Sequence, residues 1–149
     1  MAISRGAGTE IIRSAWFEDI DDTSTILIYG VQHHIYTVLS VIIKCNSLQA
    51  VTDKMHLVMT GYDAKAGTTG QDHYLMGRVI PADETFVWND KFSFNGHEPT
   101  DFSGPMDDAT KQDAIADQAS GVAQTLRAFS SDASDDFEIG ITYIDQNNA

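Results

Sequence analysis

The stretch His34-Ile-Tyr-Thr-Val-Leu-Ser-Val-Ile-Ile-Lys-Cys-Asn46 decides how the rest of the chain is read. β-Branched residues crowd it, and their restricted χ1 angles suit a pleated surface better than a helix. Ile35, Thr37, Leu39, Val41, Ile43 and Cys45 share one face of an extended chain, with Tyr36, Val38, Ser40, Ile42, Lys44 and Asn46 on the other. The second face begins apolar and ends polar, as expected of a central strand leaving a core. His33 and His34 stand directly before this run and are read as opening a strand, with no ligand partners beside them in the sequence.

Working outward, further strand patterns occupy residues 9–17, 24–29, 55–62, 73–80, 85–88, 91–94, 125–130 and 137–144. Turn chemistry separates them: Gly61-Tyr-Asp-Ala-Lys-Ala-Gly-Thr-Thr-Gly70, Pro81-Ala-Asp-Glu84, Trp88-Asn-Asp-Lys91 and Ser130-Ser-Asp-Ala-Ser-Asp-Asp136. The inventory predicts an all-β fold, a single antiparallel β-sandwich or jelly roll over residues 1–149. Residues 1–22 are expected to be an N-terminal arm or an edge strand. Residues 95–121 form one long insertion, within which Asp107 to Ala119 has the acidic start and following Gly121 of a short helix. Phe86 with Trp88, and Phe92 with Phe94, are expected to stack across a hairpin and fill the core.

The chain has 149 residues, 42% of them hydrophobic, enough for one core without a metal or disulfide to hold it. Its one cysteine, Cys45, excludes an intrachain disulfide and fits assembly in a reducing cytoplasm. Twenty-two acidic against nine basic residues give a net charge of −13, which disfavours nucleic acid and anionic membrane as partners. The first residues lack the apolar run of a signal peptide, and no segment is long enough for a membrane helix, so a soluble product without a cleaved signal is expected.

The residues that carry chemistry elsewhere form no motif here. His33, His34, His56, His73 and His97 are not spaced as zinc ligands, although strands could bring His56 and His73 together. Cys45 lies in an apolar strand, where its thiol stays protonated and inert. Glu18, Asp19, Asp21 and Asp22 lack the alternation of a calcium loop and read as a solvated turn. Gly61, Gly67 and Gly70 fall in a strand-to-strand loop without the helix and lysine of a phosphate cradle. Trp16, Phe17, Phe86, Trp88, Phe92 and Phe94 offer a stacking platform only if they are exposed. Neither cofactor nor metal is expected, nor an enzymatic activity.

The quoted strand, together with Val79-Ile-Pro-Ala-Asp-Glu-Thr-Phe86 and Asp136-Phe-Glu-Ile-Gly-Ile-Thr-Tyr-Ile144, resembles small β-sandwich virion proteins of tailed bacteriophages, those of cyanophage type included. The likeness spans about residues 24–144 and departs at the amino-terminal segment and the insertion. It implies a non-enzymatic capsid decoration or cement protein on the outer capsid surface of the virion, made in the host cytoplasm. Its implied partners are the major capsid protein, other virion proteins and itself, as a homotrimer. A tail, neck or fibre-attachment protein is the alternative, and a carbohydrate-binding module a more distant one. Ile11, Ile12, Trp16 and Phe17 are expected to anchor one contact, and Phe102, Met106 and Ile115 a second.

Overall fold

The computed structural model describes residues 9–63, 68–97, 109 and 122–147, without the side chains of Tyr62, Asp63, Thr68 and Thr69. Nine strands run through them: β1 (Thr9–Ile20), β2 (Thr25–Tyr29), β3 (His34–Ser47), β4 (Met55–Asp63), β5 (Thr68–Arg78), β6 (Thr85–Trp88), β7 (Phe92–Asn95), β8 (Thr125–Ser130) and β9 (Asp136–Asn147). They form two antiparallel sheets packed as a sandwich. One has the order β1-β9-β3-β6 with β7 also on β3, and the other the order β2-β8-β4-β5. The expected helix lies outside the described residues except for Ala109.

The strand order selects between sandwich and jelly roll. β6 lies opposite residues 41–44 of β3 and β7 opposite residues 35–38, so the two act as one interrupted strand. Counted so, β1·β9, β2·β8, β3·β6/β7 and β4·β5 are the rungs of one long ribbon, and β9·β3 and β8·β4 arise when it wraps on itself. That is a jelly roll. The expected β6–β7 hairpin is therefore corrected. Phe86, Trp88, Phe92 and Phe94 face Ile43, Val41, Val38 and Tyr36 across β3, and all four pack against the core. Trp88 Nε1–H donates to the Asp90 carbonyl at 2.9 Å within the break.

The core lies between the sheets. β3 supplies Tyr36, Val38, Val41, Ile43 and Cys45, β9 supplies Phe137, Ile139 and Ile141, and Met55, Leu57 and Leu126 come from the other sheet. Period two predicts the buried face of β3 correctly only from Val41 onward. Leu39 is an extra residue, since Val38 pairs with Tyr143 and Ser40 with Thr142. The bulge flips the parity, so Tyr36 and Val38 turn inward where Ile35 and Thr37 were expected. β1 uses the same device near Asp19, whose φ is 54°, and thereby keeps both Phe17 and Ile20 on the core side. Gly61 and Gly70 lie within β4 and β5, not in the loop between them, and Gly70 with φ 68° occupies a bulge.

Candidate functional site

One end of the five-stranded sheet holds a buried carboxylate. Asp145 on β9 stands opposite Ile11 of β1 and Tyr36 of β3, with its side chain 5% exposed. Arg13 Nε–H donates to Asp145 Oδ2 at 2.9 Å, and His34 Nδ1 lies 2.6 Å from Oδ1. A carboxylate only accepts, so the contact places the proton on Nδ1. The His34 ring stacks on Tyr36. The Val31 N–H donates to the Tyr36 hydroxyl at 3.1 Å, while burial first and the Asp145 charge second push this phenol up to about 12. Burial likewise raises Tyr143, and the Arg13 charge opposes it.

An aspartate that orients a histidine is half of a nucleophile relay. The thiol that such a relay would activate is remote: Cys45 closes the far end of β3, about 36 Å along an extended chain from His34. Burial raises the Cys45 thiol, and Asp135, Asp136 and Asp83 add to the effect. What the cluster does is tie β1, β9 and β3 together at one end. His34 does open β3, but its ring has a charged partner 111 residues away, which the sequence alone did not reveal.

The outer face of the same sheet has a different character. Trp16, Gly140, Ile42 and Val87 are successive Cα partners across β1, β9, β3 and β6. Trp16, Ile42 and Val87 are 71%, 36% and 52% exposed. The indole lies on Gly140, where any Cβ would come within 2.1 Å of ring atom Cζ3, so only glycine leaves room for it. On one side of this row stand Glu138, Lys44 and Thr85, and on the other Ser14, Thr142 and Ser40, with the Ser14 and Thr142 hydroxyls 3.1 Å apart. A shallow depression of about 220 Å³ opens between Trp16, Ile42, Lys44, Thr85, Glu138 and Gly140.

The structure divides the anticipated contact residues. Ile12 and Trp16 project from the outer face of β1, Ile11 is exposed at the strand position opposite Asp145, and Phe17 packs against the core. Phe102, Met106 and Ile115 lie outside the described residues. The stacking platform does not form, because five of its six rings pack against the core and Trp16 alone is free of it. On the second sheet, His56 packs between Tyr74 and Phe129, and burial, followed by the Lys54 charge, lowers its pKa. His56 pairs with Gly77, whereas His73 lies opposite Met59, so the strands do not unite the two histidines. Among the described residues no three His, Cys, Asp or Glu side chains converge as metal ligands.

No family model matches the chain, and no curated protein matches it. Among solved structures it is similar to a chain from Bacillus endospore appendages, which form a family of disulfide-linked pili. The identity is 12% and the TM-score 0.43, covering 100% of this chain and 97% of the other. A likeness at that level transfers no function. None of the comparisons returns a phage virion protein, and the expectations drawn from that resemblance are corrected. These are the decoration or cement function, its tail and carbohydrate-binding alternatives, the major capsid protein as partner and the outer capsid surface as location.

Proposed function

We propose that this chain is a non-enzymatic structural subunit that works by associating with further copies of itself, with β1 at the contact. The observation that carries the reading is β1 itself. Among the described residues it is a twelve-residue strand hydrogen-bonded on one side only, with Ile12 and Trp16 exposed at 69% and 71%. Proteins that remain monomers shorten such edges or break them with proline and inward charge, since a long free edge recruits other strands. β1 contains no proline and no lysine, and its one basic residue, Arg13, is engaged by Asp145. Large exposed apolar side chains gathered on one strand mark an interaction surface more often than isolated ones do. Cys45 is buried with a raised pKa, and the Asp145 cluster ties strands together, so both fit a framework role.

Sedimentation equilibrium of the purified full chain, from micromolar to millimolar concentration, tests the reading. Reversible oligomers are expected, and Ile12→Lys should weaken them without changing the far-ultraviolet spectrum. A chain that stays monomeric over the whole range would remove the basis for the proposal.

A further inference from the structure

The molecule as a whole is strongly acidic, with 22 Asp and Glu against nine Lys and Arg. The three central rows on the outer face of the five-stranded sheet depart from that balance. On β9 and β3 they hold one basic residue, Lys44, and one acidic residue, Glu138, set directly opposite each other, while the exposed Glu18 and Asp19 stand at the β1 margin of the same row. Among the described residues neither Lys44 nor Glu138 is in an ion pair. Two copies carrying −13 each repel over most of their surfaces, so they meet at least cost along the β9–β3 centre of this face, where the charge sums to zero.

Resting on the reading of the chain as a self-associating subunit, we infer that this face packs against the same face of a second copy. The two copies are related by a twofold axis in the plane between the sheets, parallel to the strands and running between β9 and β3. Strands lie about 4.8 Å apart, so β9 and β3 sit about 2.4 Å either side of that axis, and β1 and β6 about 7.2 Å. Rotation then sets each copy's β9 opposite the other's β3, and β1 opposite β6. Lys44 meets Glu138 twice, Trp16 meets Val87 twice, and Ile42 enters the depression beside Gly140. Sheets stacked face to face at about 10 Å, as in a sandwich core, accommodate these side chains. The row is self-complementary: the wide indole lies at one end, the small Val87 at the other, and the glycine and Ile42 adjoin the axis.

Charge reversal on the full chain tests the arrangement by sedimentation equilibrium. Lys44→Glu and Glu138→Lys should each weaken self-association about tenfold or more, because each sets like charges face to face twice. An equimolar mixture of the two variants should recover the wild-type association, since every facing pair is then opposite in sign. No change within a single chain mimics that recovery. If either variant fails to fold, as judged by circular dichroism, Val87→Glu at the exposed edge should also weaken association. Wild-type association that survives the charge variants and Val87→Glu, or a mixture that associates no better than its components, would overturn the twofold face while leaving self-association standing. A monomeric wild type would overturn both.

Discussion

Removal of the Asp145 carboxylate tests the polar cluster that joins β1, β9 and β3. In Asp145→Ala, Arg13 and His34 both lose their acceptor. A hydrogen bond to a charged group contributes about 1.5–3 kcal/mol when buried. The His34 side chain is 17% exposed, so its contact retains most of that range. Arg13 is 49% exposed, and solvent reduces its share to about 0.5–1 kcal/mol. The expected loss is therefore about 2–4 kcal/mol, with the larger part from His34. Double-mutant cycles pairing Asp145→Ala with His34→Ala and with Arg13→Ala, read by urea denaturation at pH 7, separate the two couplings. Equal couplings, or a stronger one for Arg13, would refute the ranking by burial. A total loss below about 0.5 kcal/mol would refute the idea that the cluster stabilises this end of the sheet.

Two further predictions rest on independent features. Gly96→Ala places a Cβ 2.0 Å from the Val31 carbonyl oxygen, a backbone atom that cannot swing aside, and thermal denaturation should show a loss of at least about 3 kcal/mol or a chain that does not fold. Tyr36 is neutral in the fold and its pKa is raised to about 12, so its contribution is complete below pH 10 and disappears as the pH rises through 12. Unfolding by urea between those pH values should therefore reveal progressive alkaline destabilisation, smaller in Tyr36→Phe, where the raised Tyr143 and Cys45 still contribute.

Much of the framework was legible because its strands alternate. All nine were located, with β6 and β8 matching at both ends, and turn residues marked most of the breaks. What escaped was whatever depends on a partner strand. The Leu39 bulge is invisible in a single strand, because only the pairing of Val38 with Tyr143 and Ser40 with Thr142 reveals the extra residue. The supposed β6–β7 hairpin has the right turn chemistry, yet β3 offers both segments a better edge than each other. The Asp145 cluster escaped for the same reason, its members being far apart along the chain. The outer row was half legible: Trp16 was singled out, but Gly140, which seats its ring, stood out only once β1 and β9 were paired.

The pairing of β1 with β9 also governs the order in which the molecule can become complete. Arg13 and Asp145 are 132 residues apart, so the edge of the five-stranded sheet closes one of the longest loops in the chain. Contacts of such separation come late and slow folding, because closure entropy opposes them before packing compensates. During synthesis β1 emerges first and must wait for β9, leaving Ile11, Ile12, Trp16 and Phe17 unpaired beside whatever else is nearby. The strand proposed to join another subunit is thus the strand that spends longest without its own partner, and Ile12 and Trp16, which it would offer that subunit, are open to misassembly first.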